Sequence, residues 1–355
     1  MTGFAAGSPV GRTAVSFADV TAKTMRAVAH EGTPGLAGVR VAEVPVPQPG
    51  PGEVVVAVKA AGVNHRDLFL VDSRGPADVA TVLGSDGAGV VAAAGAGVRA
   101  EVGAEVVINP TLGWSEPDEV PEVPAILGVP TNGTLAEYVV VPAENVVPKP
   151  EHLGWTEAAA LPLAALTAYR ALFTRGRLAA GEHVLLPGIG SGVATFALSM
   201  AKAVGATVSV TSRSAGKLDQ ARELGADNTV RSDADWAAEL EPVDLVVDSI
   251  GSATFDACLS VLRPGGRMVT LGATTGAEVE LSLRALFFRQ ISLVGTSMGS
   301  SREFAQMLAL VGEHRLRPVV HRTYSLADGP AALGALASGD QFGKLVVTVD
   351  PAVVH

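Results

Sequence analysis

The chain has 355 residues, 48% of them hydrophobic and 17% charged, with a net charge of −10 at pH 7. This composition excludes an intrinsically disordered chain and leaves length for two domains with a large core. The acidic balance argues against general binding to nucleic acid or anionic membranes, and no apolar run approaches the roughly 20 residues that span a bilayer.

Residues 1–23 read as a flexible N-terminal extension. They lack a basic start followed by an apolar core, so no secretory signal is expected. From Met25 to Pro150 short β-rich runs alternate with Pro and Gly turns: "RAVAH", "EVVVAVKAAGV", "GAGVVAAAGAGV", "AEVVIN" and "LAEYVVVP". This predicts an all-β unit. Pro110 to Asn132 reads as a loop.

From Thr156 the rhythm changes. "TEAAALPLAALTAYRALF" predicts helix, "HVLLP" a strand, and "GVATFALSMAKAVG" a helix with Val193, Phe196, Ala197, Met200 and Val204 on one face. "TVSVTS" is a second strand and "AGKLDQARELG" a helix ended by Gly225. "VDLVVDSI", "GRMVTLG" and "ISLVGT" are further strands, with the helix "SATFDACLSVL" between the first two. Alternating β and α elements predict a parallel sheet with helices on both faces. The tail from Gly299 holds two helix patterns and a last strand, "KLVVTV", expected to return and complete the first domain. The expected division is 24–152 with 299–355 for the β-rich domain and 153–298 for the α/β domain.

Cys258 is the single cysteine, so no intrachain disulfide can form, which fits a reducing cytoplasm. A structural zinc site usually takes several thiolates that this chain does not have. The seven histidines are scattered, none in a helical pair.

"LLPGIGSGVATFAL" joins the first α/β strand to its helix. Gly188, Gly190 and Gly192 allow a tight turn and close approach of backbone N–H groups to a pyrophosphate, beside Ser191 and Val193 at the helix start. The other reading is a structural turn. The end of the second strand selects the dinucleotide. An NAD site would place Asp or Glu there; "VTSRSAGK" instead offers Ser212, Arg213 and Lys217, which suit a 2′-phosphate. NADP(H) is the expected cofactor, against the alternative that these are ordinary solvated charges.

"AGVNHRDLFL" places Asn64, His65, Arg66 and Asp67 in a row, and three readings compete: a metal site, an acid–base site and a structural network. With "VLGSDGAGVV", "GTLAEYVVVP", "AAALPLAALTAYRAL", the glycine loop and "QFGKLVVTV", this run resembles the medium-chain dehydrogenase/reductase superfamily from Met25 to Val349. The resemblance implies a GroES-like catalytic domain joined to a Rossmann cofactor domain. In that superfamily the zinc-dependent enzymes carry a cysteine where this chain has Asn64, a His–Glu pair at Ser85 and Asp86, and a further ligand near Leu163. Their cysteine-rich structural lobe falls where this chain has none. The resemblance therefore narrows to the zinc-independent quinone oxidoreductases and enoyl reductases, with no metal site expected.

On that resemblance Asn64 is a hydrogen-bonding group at the nicotinamide end. His65 is either a proton donor or an exposed or backbone-bonded histidine. Asp67 holds the loop, with Arg66. Phe69 stands where many enoyl reductases have a tyrosine. Thr167 approaches the nicotinamide amide, or bonds its own helix. Ser249, Gly251, Ala273 and Thr274, at strand ends, line the dinucleotide groove. Thr296, Ser297 and Met298 border the nicotinamide. Lys344 reaches the cofactor cleft or is a surface lysine. Phe69, Leu112, Trp114 and Met298 are the expected pocket wall. The implied activity is hydride transfer from NADPH to an enone, enoyl thioester or quinone, in a homodimer acting on small molecules. A zinc-free alcohol dehydrogenase or ketone reductase, and a non-catalytic NADPH-binding protein, are the alternatives.

Overall fold

A computed structural model describes residues 23–75 and 77–349. The extension expected over residues 1–23 therefore lies, Lys23 apart, outside the described residues.

The β-rich part is built around the strand Glu53–Gly62. One edge of it pairs antiparallel with Asp86–Ala94; the other is shared by Tyr138–Pro142 and Lys344–Thr348. Lys344–Thr348 then pairs in parallel with Val320–Ser325. The last strand among the described residues is thus an interior strand of the first sheet, and all five of its residues are buried. Thr24–His30, Val39–Pro45 and Thr81–Val82 form a second, three-stranded sheet. Valines and leucines from both sheets and from the segments beside them, among them Val28, Val56, Leu83, Leu135 and Val347, make one apolar cluster. Burial of such side chains from water is the main driving force for the fold.

The second sheet system has six strands in the order Asn228–Arg231, Thr207–Ser212, His183–Leu186, Val243–Asp248, Leu262–Thr270, Ser292–Gly295. All neighbours are parallel. Numbered along the chain, this is the 3-2-1-4-5-6 order of a doubly wound Rossmann sheet. The helix Gly192–Ala203 buries Phe196, Ala197 and Met200 against it, with Val193 and Val204 half-buried, as the periodicity predicted. The edge strand Asn228–Arg231 is too short and polar ("NTVR") for the periodicity to single out.

Two differences from the sequence reading concern the join. "TEAAALPLAALTAYRALF" is not one helix: Trp155–Ala160 and Pro162–Tyr169 are separate helices, and Arg170–Arg175 continues as a π-helix. Pro162 has no N–H to donate and starts the second helix, a position proline favours. Within the loop Pro110 to Asn132, Thr111–Leu112 pairs with Ala125–Ile126. The helix Trp155–Ala160 packs beneath the first sheet, and Ala60, Ala88 and Val346 join Ala159, Leu166 and Met200 in one cluster. A continuous apolar seam therefore fixes the first sheet system against the second, and the cleft opens above it.

Candidate active site

Asn64 ends its strand and begins the helix His65–Ser73. The Asp67 carboxylate and the backbone close this turn: Asn64 N donates to Asp67 Oδ2 at 2.8 Å, and Asp67 N donates to Asn64 O at 2.9 Å. The asparagine amide is free to look elsewhere. Its Nδ2 donates to Asp86 Oδ2 at 2.9 Å, and its Oδ1 accepts from Lys344 Nζ at 2.5 Å. Lys344 Nζ also donates to Asp86 Oδ2 at 3.0 Å and to Val63 O at 2.9 Å. The second Asp86 oxygen, Oδ1, accepts from the backbone N–H of Leu163 at 2.8 Å. That N–H lies in the first turn of the helix Pro162–Tyr169, where a carboxylate is favoured. Asp86 is fully buried and Lys344 is 4% exposed, so each charge is desolvated but paired.

His65 is exposed to the cleft. Crowding by neighbouring atoms, and secondarily the Lys344 charge, lower its pKa below the ordinary 6.5 and favour the neutral ring. Asp67 is buried, and desolvation raises its pKa to about 6 against the Asn64 backbone hydrogen bond. Its Oδ1 has no hydrogen-bond partner. Arg66 does not pair directly with Asp67 as expected; it donates to Ser85 Oγ at 2.7 Å and Leu127 O at 3.1 Å.

The glycine loop crosses the mouth of the parallel sheet. Gly190 adopts φ +134°, which side-chain-bearing residues rarely take, and a Cβ there would meet Lys217 Cδ at 2.9 Å. Lys217 lies over this loop with Nζ on Gly339 O at 2.7 Å, and burial lowers its pKa. A Cβ on Gly192 would meet Lys344 Cδ at 2.6 Å, so this glycine makes room for the lysine stem. Gly188 N donates to Thr211 Oγ1 at 3.2 Å, and Ser191 Oγ caps the helix by accepting from Ala194 N. Ser212 ends the second strand opposite Arg231 on the third. Arg213 follows it and accepts on its carbonyl from Arg231 Nη1. Arg231 is a cation at this end that sequence reasoning did not single out, because only the strand pairing brings it there; Asp233 offsets its charge.

A cavity of about 330 Å³ lies between the two halves. It gathers Asn64, His65, Thr167, Ser191, Gly192, Val193, Ser297, Met298 and Lys344 of the expected site. Ser249 lines a small adjoining crevice with Val193. Gly251 and Thr274 hold the neighbouring loops: Gly251 N donates to Asp248 Oδ2, and Thr274 Oγ1 to Ser249 O. Ala273 backs Gly251 at the same strand ends. Thr296 Oγ1 is buried without a partner. Thr167 Oγ1 donates to Leu163 O at 2.7 Å, the local helix bond, while the residue still faces the cavity.

Of the two readings of Lys344, it lines the cavity and is not a surface lysine. Two of the four expected pocket-wall residues are corrected. Leu112 and Trp114 do not wall the cavity; the Trp114 ring stacks on the Arg170 guanidinium, 4.7 Å from its centre, and Ile126 of the same loop reaches the cavity instead. Phe69 and Met298 do line it.

The positions at which zinc-dependent relatives place ligands converge here, but their donors do not suit zinc. Ser85 is taken by Arg66, Leu163 offers only an N–H, and both Asp86 oxygens face N–H donors, one an ammonium. A divalent ion would have to displace the Lys344 cation. Among the described residues no three His, Cys, Asp or Glu side chains gather into a metal-binding group.

Comparison with known proteins locates the chain. A family model described as alcohol dehydrogenase GroES-like domain matches residues 50–151, and one described as zinc-binding dehydrogenase matches 192–313. A zinc-type alcohol dehydrogenase-like protein, YogA, of Leptosphaeria maculans is 36% identical over 85% of this chain and 92% of its own. A crystal structure of an NAD-dependent alcohol dehydrogenase superposes with TM-score 0.86 at 38% identity, over 92% of this chain and all of the other. The crotonyl-CoA carboxylase/reductase AntE in complex with NADP superposes with TM-score 0.84 at 26% identity, over 92% and 95% of the two chains.

Proposed function

The chain belongs to the medium-chain dehydrogenase/reductase superfamily, and on that premise we propose that it is an NADPH-dependent, metal-independent reductase of conjugated acceptors: enones, enoyl thioesters or quinones. The observation that carries this reading is the Lys344–Asp86–Asn64 network, which fills the ligand positions with a lysine ammonium and amide groups.

The residues fit the cofactor. Backbone N–H groups of the glycine loop and the N-terminus of the helix Gly192–Ala203 hold the pyrophosphate. Ser212, Arg213 and Lys217 receive the 2′-phosphate, with no carboxylate among them to repel it. Thr167, Ser297 and Met298 bound the nicotinamide end, with Thr296 behind them. When bound, NADPH supplies the hydride. The AntE complex with NADP supports this choice, and the NAD-dependent neighbour sets the alternative to test.

An acceptor whose negative charge spreads into an enolate or hydroquinone needs only a few hydrogen-bond donors, not a Lewis acid. Asn64 is a donor lining the cavity, and the walls orient the partners and exclude water. His65, neutral near pH 7, passes a proton between solvent and the acceptor.

The alcohol dehydrogenase neighbour favours a second reading, reduction of unactivated ketones. NADPH and NADH oxidation over quinones, enones, enoyl thioesters and ketones, with metal analysis of the same sample, separates the two. Turnover of conjugated acceptors with NADPH, unaffected by chelation, is expected. Stoichiometric zinc with activity lost on chelation overturns the proposal; NADPH binding without any turnover identifies a binding protein.

A homodimer is part of the proposal. Ser292–Gly295 is one of the two edges of the parallel sheet; its Leu293 is exposed, as are Phe287 and Phe288 of the helix before it. Exposed edge strands with apolar neighbours pair with further chains. Light scattering on the purified protein tests this, a monomer at micromolar concentration being the contrary result. No helix among the described residues is long and apolar enough to cross a membrane.

A further inference from the structure

We infer that Lys344 is a positioning residue that aims the Asn64 amide at the oxygen of the acceptor, an inference that rests on the reductase reading above and names how its charge-stabilising donor is set. An asparagine amide can be turned end for end at little energetic difference unless its neighbours discriminate. Here both do. A lysine ammonium only donates, so the atom facing it must be Oδ1. The Asp86 carboxylate that pairs with that ammonium accepts, so the atom facing it must be Nδ2. Lys344 Nζ and Asp86 Oδ2 are themselves 3.0 Å apart. The contacts therefore close a ring on one edge of the amide, using its oxygen and one of its two N–H groups.

The other N–H points away from that ring. It has no protein acceptor among the described residues, and Asn64 is a wall of the cavity. Lys344 cannot substitute as the donor. Its three N–H groups are spent on Val63 O, Asn64 Oδ1 and Asp86 Oδ2, and it is 4% exposed. It acts on the acceptor only through Asn64, by fixing which end of the amide faces the cleft and by polarising the amide through its oxygen. A donor fixed in advance gains strength as charge develops on the acceptor oxygen, which is the transition-state-selective contribution.

The geometry also ties this donor to the cofactor loop. The Lys344 stem passes Gly192, the first residue of the helix at the loop's end, at a distance no Cβ would permit.

The test is a double-mutant cycle with Lys344→Met and Asn64→Ala, measured in the NADPH-dependent reduction of whichever conjugated acceptor the wild type turns over. Lys344→Met is expected to lower kcat about 10²-fold with little change in the Michaelis constant for NADPH. In the Asn64→Ala background the same change is expected to have almost no further effect, because both remove one donor. Losses that multiply overturn the inference, since a lysine that only braces the fold would act independently of Asn64. Lys344→Met leaves Asp86 unpaired and could unfold the chain, so Lys344→Met/Asp86→Asn carries the same cycle without a buried charge.

A second readout needs no turnover. 4-Nitrophenol bound to the enzyme with NADP⁺ reports donors to an oxyanion through its phenolate absorption band. Its phenolate is expected to bind at least tenfold more weakly to the double variant and to Asn64→Ala than to wild type. Equal binding to all three overturns the inference. A wild type that oxidises NADPH with no acceptor sinks the reductase reading instead; active wild type with multiplicative losses sinks only the role of Lys344.

Discussion

Arg170 Nη1 lies 2.7 Å from both carboxylate oxygens of Glu303, fully inside the protein, joining the π-helix after the cleft wall to the helix Ser301–Glu313. Glu303 also accepts from Thr174 Oγ1 and Ser300 N and Oγ, while Arg170 donates to Pro117 O and stacks on Trp114. The loop before Asn132 is bound to the same place, for Ser301 N donates to Trp114 O and Arg302 Nη1 to Glu116 Oε2.

Glu303→Gln leaves the Arg170 charge buried without a counter-ion. The expected loss is about 3–5 kcal/mol of stability, seen as a lower urea midpoint. A change below about 1 kcal/mol would mean that the pair is bridged or relieved by water.

Asp67 supplies a pH signature. Folding raises its pKa from the ordinary 3.8 to about 6, chiefly by desolvation, so the folded state holds the proton more tightly than the unfolded chain. Its favourable contribution is complete below pH 3.8 and is lost as pH rises through 6, by up to about 3 kcal/mol. Asp67→Asn keeps an acceptor for Asn64 N and removes the titration. The variant should gain stability relative to wild type between about pH 4 and pH 7, on the order of 2 kcal/mol. A difference independent of pH across that window refutes the assignment.

Arg213→Asp places a carboxylate at the expected 2′-phosphate position. The Michaelis constant for NADPH should rise at least tenfold while that for NADH changes little. Equal effects on both cofactors would remove the NADP(H) assignment.

Gly192→Ala puts a methyl where Lys344 Cδ runs, 2.6 Å from the new Cβ. The lysine stem is flexible, so the chain should fold with about 1–3 kcal/mol lost. The Lys344 head should shift from Asn64, and kcat should fall more than cofactor affinity does. Loss of cofactor affinity alone would assign the glycine to the pyrophosphate only.

The parallel sheet was legible because strand and helix periods alternate cleanly and because "LLPGIGSG" marks the first crossover. The edge strand Asn228–Arg231 was not, for four residues of mixed polarity carry no period. The cleft residues Asn64 and Met298 were legible through resemblance, not through pattern. The role of Lys344 was beyond reach: it meets Asn64 280 positions away, and only the pairing of the last strand beside Glu53–Gly62 brings them together. Trp114 was misplaced because a loop indole has no sequence signal that separates a cleft wall from a stacking partner for a distant arginine.

The strand Lys344–Thr348 is an interior strand, so the sheet around Glu53–Gly62 remains open until residues 344–348 have left the ribosome. The α/β segment is contiguous and can collapse earlier, during synthesis. Long-range closure of this kind is slow, and in the interval the edge of Glu53–Gly62 that awaits Lys344–Thr348 stands exposed to other nascent chains. Pulse proteolysis of stalled chains ending before Phe342 should spare the contiguous α/β segment and cut within the first sheet; uniform protection of both would mean that the late strand is dispensable for closure.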